Sequence, residues 1–144
     1  MSMKDLNFDS GVVTYSLNGK CEVSFNPSDS QFAERLYAIF DELDKEQEHH
    51  KTLIEKASGT KEIFKIARDT DAEMRKKIDG LFCAPVCEKL FDNVSLCALA
   101  NGFPLWANLL IAISDEMGNA MDGEKQMSKQ RIAKYTAKWS KYKK

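Results

Sequence analysis

The chain has 144 residues, with 21 Lys and Arg against 22 Asp and Glu, for a formal net charge of −1. That length fits one domain able to bury its apolar side chains without staples, and the near-neutral balance weighs against a dedicated nucleic-acid binder. Acids are dense between Asp29 and Glu55 whereas Lys125–Lys144 contains none, so the chain is a charge dipole along its own length and suits protein partners.

Met1 to Ser10 is polar, with Leu6 and Phe8 as possible anchors, and is expected to be an extended arm. A β-hairpin is predicted over residues 11–26. Two runs of strand formers, Val12–Leu17 and Cys21–Phe25, flank Asn18-Gly19, which tolerates the positive φ angles of a tight turn. A two-residue turn pairs Leu17 with Lys20 and leaves each face apolar from one strand and polar from the other. A three-residue loop instead gathers Val13, Tyr15, Leu17, Cys21, Val23 and Phe25 on a single face. Asn-Gly favours the shorter turn, and the expectation is a hairpin covered on both sides, by the chain's own helices and by a second copy meeting the other face or the edge.

Asn26-Pro27-Ser28-Asp29 breaks the strand. Ser28 with Gln31 fits a capping box, and Asp29 adds negative charge at a helix N-terminus. Phe32, Leu36, Ile39, Phe40 and Leu43 then recur at helical spacing; the stripe lapses over Asp44–Lys51, a stretch expected in solvent, and resumes at Leu53. Ser58-Gly59-Thr60 is the stop, with Thr60 able to cap the next helix. That helix carries Ile63, Phe64, Ala67, Met74 and Ile78 on one face and is expected to lie antiparallel to the first. Pro85 suits the first turn of a short helix through Val86, Leu90 and Phe91, ending near Asp92-Asn93. Leu96–Leu99 continue as a buried run to Asn101-Gly102. Pro104 opens the most apolar helix, with Leu105, Trp106, Leu109, Leu110, Ile113 and Met117, expected at the centre of a bundle and weakened at its end by Gly118 and Gly123. The fold class expected is α+β, mainly α: an N-terminal hairpin followed by a bundle of about four to five helices. Residues 1–124 form one domain, and 125–144 a basic tail or helix.

Nothing in this pattern supports catalysis. His49 and His50 are adjacent, so on a helix they point about 100° apart and cannot chelate one metal from one face. Cys83 and Cys87 are interrupted by Pro85 and lack a second ligand pair, so the cysteines read as small buried hydrophobes. There is no Gly-rich phosphate loop, no nucleophile elbow and no Glu-x-x-His pair. No catalytic residue, cofactor or metal is expected. No segment has the succession of a signal peptide, and the longest apolar stretch, around Leu105–Ile113, is too short to cross a bilayer, so a soluble cytosolic protein with reduced thiols is expected. The basic tail, with Tyr135, Trp139 and Tyr142 among lysines, suits an acidic or amphipathic protein partner; stacking on nucleic-acid bases and a frayed terminus are the alternatives.

The segment LNFDSGVVTYSLNGKCEVSFNPSDSQF with the following RLYAIFDELDKEQE resembles a family of small phage and prophage proteins of Gram-positive bacteria. The resemblance continues through KEIFKIARDTDAEMRKKID, PVCEKLF, GFPLWANLLIAISDEM and RIAKYTAKW, nearly the whole chain. Proteins of this kind resemble tail assembly chaperones of long-tailed phages. The resemblance implies a non-enzymatic helical protein in the bacterial host cytoplasm that binds the tape-measure protein and helps tail tube subunits polymerise around it. It also implies absence from the mature virion, and many such proteins have a longer form made by ribosomal frameshifting. A binder of that kind needs apolar surface, for which Phe32, Leu36, Phe40, Trp106, Tyr135 and Trp139 are the candidates; for the first four the competing role is core. A homo-oligomer through the hairpin is expected. The alternative functions are a structural virion component, either a tail completion or a head–tail connector protein, and a DNA-binding phage regulator.

Overall fold

The computed structural model of the protein describes residues 2–140, and their side chains other than those of 135 and 138–140. Among these residues the fold is α+β and mainly α. Strands β1 (Val13–Leu17) and β2 (Cys21–Phe25) form an antiparallel hairpin. Helices α1 (Ser30–Glu55), α2 (Thr60–Phe82) and α3 (Val86–Phe91) follow. A second small hairpin, β3 (Leu99–Ala100) with β4 (Phe103–Pro104), leads into α4 (Leu105–Ser140).

The first hairpin adopts the register that its turn dipeptide disfavours. Leu17 faces Cys21, Tyr15 faces Val23 and Val13 faces Phe25, so the loop has three residues, with Asn18 at φ 52° and Gly19 at φ 68°. The Lys20 N–H donates to the Leu17 carbonyl at 2.9 Å and closes it. A one-residue slip moves every side chain to the other face, and only this register places all the apolar residues together; matching the core outweighs the turn preference. The expectation of a hairpin with apolar side chains on both faces is therefore corrected. The outer face is Thr14, Ser16, Glu22 and Ser24, all exposed, with the Thr14 and Ser24 hydroxyls 2.7 Å apart. Within the two strands that face is polar; the one apolar side chain beside it is Val12, just before β1, which is 55% exposed.

The inner face is fastened by stacked rings. Tyr15 stacks on Phe25 at 4.9 Å between centroids, Phe25 on Phe32 of α1 at 4.4 Å, and Phe32 meets Phe82 of α2 at 6.3 Å. Such pairs add about 0.5–1.5 kcal/mol each beyond the area they bury. They join the strands to α1 and α2. At the hairpin's open end, Gly11 sits at φ 74°, and a Cβ there would lie 2.6 Å from Asn26 Nδ2, which donates to the Ser10 carbonyl. Only glycine fits both the angle and the space.

The cap of α1 is shifted by one residue from the expected box. Asp29 is the N-cap and accepts from the Gln31 N–H at 2.9 Å, while the N–H and hydroxyl of Ser28 both donate to Asn26 Oδ1. At α2 the N-cap is Gly59, so Thr60 lies inside the helix. Glu62 instead reaches back to accept from the Ser58 N–H and hydroxyl at 2.9 and 2.7 Å. These bonds hold the Glu62 carboxyl below its ordinary range, the hydroxyl contributing most.

Met74, Ile78, Leu81 and Thr70 form the buried side of α2, and Phe64 is exposed, contrary to its expected place on that face. The middle of α1 is not simply solvated either. Glu46 pairs with Lys77 at 3.7 Å, and Gln47 Oε1 accepts the Trp106 indole N–H at 2.7 Å. Leu96 is fully buried, but Leu99 is 72% exposed because the chain turns into the β3–β4 hairpin at Asn101-Gly102, a second Asn-Gly turn with φ 56° and 82°. Gly118 and Gly123 do not end α4, which runs unbroken through both.

Candidate partner-binding surface

Trp106, Leu109, Leu110, Ile113 and Met117 of α4 are all buried, which places this helix at the centre of the core. Alongside it, α1 and α4 leave an apolar groove of about 370 Å³. Leu36 and Leu110, both nearly fully buried, form its floor. Phe40 and Ile111 form half-buried walls, and Tyr37 stands over it 63% exposed. The Tyr37 and Ser114 hydroxyls meet at 3.4 Å, and the Phe40 ring packs edge-on against Trp106 at 5.2 Å. The contacts Tyr37–Ser114 and Gln47–Trp106 show that the two helices run antiparallel here.

Acids stand at both ends of the groove. Asp115 lines one end. Asp41 and Asp44 follow Tyr37 and Phe40 at i+4, one turn onward on the same face of α1, and both are exposed. Asp41 also holds Lys45 at 2.9 Å in a solvated pair. The chemistry of this surface is that of a receptor for apolar side chains with basic flanks.

Of the expected binding residues, Phe32 and Trp106 are core and present no free surface, with 4% and 2% exposure. Leu36 is also buried but floors the groove, and Phe40 lines it. The side chains of Tyr135 and Trp139 lie outside those described. Tyr37 and Ile111 were not singled out in the sequence; Tyr37 sits one residue off the α1 stripe, and only the pairing of α1 with α4 gives that position a role.

Beyond the core, α4 exposes further apolar side chains that do not share one face. Met121, Met127 and Ile132 are 40%, 64% and 62% exposed, and every residue described from Met121 to Lys134 is exposed. Three further apolar side chains, Met3, Leu6 and Phe8, stand more than four-fifths exposed on the N-terminal arm.

The cysteines divide by burial rather than acting alike. Cys87 is 1% exposed, and burial, then the neighbouring Asp79, pushes its thiol up to about 12. Cys97 is also raised by burial. Cys83 is exposed at the left-handed C-cap of α2, which corrects its expected place in the core. His50 is half-buried with a buried Nε2 that meets no partner among the described residues. Among those residues no three His, Cys, Asp or Glu side chains form a metal-holding group, and no helix is long and apolar enough to cross a membrane. Comparison of the chain with protein-family models, curated proteins and solved structures gave no match.

Proposed function

We propose that the protein is a phage tail assembly chaperone that binds the tape-measure protein and assists tail tube assembly, performing no chemistry of its own. The observation that carries this reading is the open groove of Tyr37, Phe40 and Ile111 over a floor of Leu36 and Leu110. A tape-measure chain is a succession of long amphipathic helices that aggregate until the tube encloses them. A groove lined by apolar side chains takes the apolar face of such a helix through anchors at i, i+3 or i+4 and i+7. The resemblance of nearly the whole chain to small phage proteins supplies the biological setting, and the host cytoplasm follows from the same resemblance.

The test is co-expression with fragments of the tape-measure protein encoded beside it. The fragments should stay in solution and co-purify with the chaperone, and Ile111→Glu should abolish co-purification. Fragments that remain insoluble, or recovery of this chain in purified particles by mass spectrometry, would overturn the reading; the second result would make it a structural virion component.

A further inference from the structure

A cavity of about 550 Å³ lies between the turn of the first hairpin, the end of α3, the β3–β4 turn and the start of α4. Leu90 and Leu109, both buried, and Phe91 and Leu105, half-buried, give it an apolar lining, and none of its lining side chains is charged. From the first hairpin it takes Ser16 and Leu17 of β1 and Asn18 of the turn, and nothing from β2. It therefore lies beside the edge of β1 that has no neighbouring strand among the described residues.

That edge is open to hydrogen bonding. The Leu17 carbonyl turns toward the β2 side to accept the Lys20 N–H at 2.9 Å. Backbone groups alternate along an antiparallel pair, so those of Thr14 and Ser16 turn outward. The Thr14 and Ser24 hydroxyls, 2.7 Å apart, agree, because side chains stand closest where the backbone groups turn outward. A strand added here continues the sheet, and its inward side chains fall beside Tyr15 and Leu17, over the cavity. The Asn18 and Asn101 amides, which also line the cavity, bond to no described residue and can take backbone groups of the same segment.

The chain itself holds a segment of the required pattern. Residues 2–10 are exposed throughout, in neither helix nor strand. Leu6 and Phe8 stand two residues apart, so on an extended backbone they share one face while Asp5, Asn7 and Asp9 take the other. A copy's own arm starts on the wrong side of its hairpin. Asn26, which follows β2, donates from Nδ2 to the Ser10 carbonyl at 3.0 Å and ties the root of the arm there. We infer that the arm of a second copy adds to the free edge of β1, with Leu6 and Phe8 in the cavity and Asp5, Asn7 and Asp9 toward solvent. Each copy has one arm and one edge, so a pair exchanging arms about a two-fold axis satisfies both. This pairing does not rest on the tape-measure reading.

The test is the solution mass of the full chain by light scattering at tens of micromolar. The wild type should have twice the chain mass of 16.3 kDa. Leu6→Glu with Phe8→Glu, at positions that touch nothing in their own copy, should halve that mass with helical content unchanged. The edge of that variant is then vacant, so a synthetic peptide of residues 2–10 should bind it, and the same peptide carrying both substitutions should not. Ala112→Arg, at an exposed position of the cavity wall, should also halve the mass and abolish peptide binding. A monomeric wild type overturns the inference. So does an arm variant that stays dimeric or fails to bind the peptide, or an Ala112→Arg variant that stays dimeric. A monomer that captures tape-measure fragments overturns the arm exchange and leaves the chaperone reading intact; an arm-exchanged dimer that captures none does the reverse.

Discussion

The Asp71 carboxylate accepts the backbone N–H of Leu96 at 2.7 Å, across 25 residues of sequence. Its other oxygen holds Arg75 Nε at 2.7 Å, and Arg75 donates onward to the Val94 carbonyl at 2.7 Å and the Cys87 carbonyl at 3.4 Å. Asp79 completes the set by accepting from the Cys87 N–H at 2.9 Å. Three polar residues of α2 thus satisfy the backbone of α3 and of the loop after it, a stretch too short to satisfy itself.

Asp71→Ala removes both bonds and leaves the Leu96 N–H and the Arg75 guanidinium short of partners. The expected loss is about 2–3 kcal/mol, read as a lower urea midpoint. Asp71→Asn keeps an acceptor for Leu96 and should lose less.

Cys83 and Cys87 should separate under a thiol reagent at pH 8. Exposed Cys83 reacts promptly, and Cys87 reacts only as the fold opens. The Cys87 thiol is raised from 9.0 to about 12. Below pH 9 it is protonated in both states and adds no pH dependence. Above pH 9 the unfolded thiol loses its proton first, so stability should fall with rising pH until about 12. Comparing the pH dependence of wild type and Cys87→Ala isolates this slope; identical slopes would contradict it.

Glu62 works in the opposite sense. Its carboxyl is held low by Ser58, so its bond supports the fold above the unfolded value of 4.5 and is lost as pH falls through the lowered folded value. Glu62→Gln should therefore lower the thermal midpoint at pH 7, with the difference from wild type closing in acid.

Trp106 and Gln47 should prove energetically coupled. Trp106→Phe strips the half-buried Gln47 amide of its 2.7 Å donor and thins the packing on Phe40, at a cost of about 2 kcal/mol. Gln47→Leu alone strands the indole N–H. The double variant should cost less than the sum, which a double-mutant cycle in urea measures.

Gly118→Ala and Gly123→Ala should each stabilise α4 by about 0.5–1 kcal/mol, since both positions are helical and a Cβ meets nothing within 4 Å. Helical circular dichroism should rise; a fall would show that one of these glycines is needed for a bend.

Much of the fold could be read from spacing and punctuation. Phe32, Leu36 and Leu43 marked the buried side of α1, Gly59 its separation from α2, and Pro85 with Asp92 bracketed α3. Local signals misled where a longer-range term overrode them. Asn18-Gly19 argued for a two-residue turn, yet the apolar match of five side chains, Tyr15, Leu17, Cys21, Val23 and Phe25, with the core set the register. Gly118 and Gly123 argued for a helix end, yet neither residue lacks an intrahelical partner in a helix that carries on. The second Asn-Gly, at Asn101-Gly102, was a hairpin signal with strands too short to announce themselves. The groove was the least legible feature. Phe40 was visible as a candidate, but Tyr37 and Ile111 become neighbours of one opening only when α1 and α4 pack together.

One unbroken ladder of backbone hydrogen bonds links the Trp106 end of α4 to its far end. Its inner turns are clamped by the core, while residues 121–134 are all exposed. Amide exchange should therefore grade along a single element, slow at Leu110 and Ile113 and progressively faster past Gly118. Anything that grips the outer turns will erase this gradient, so the helix reports its own occupancy as a change in proton-exchange times.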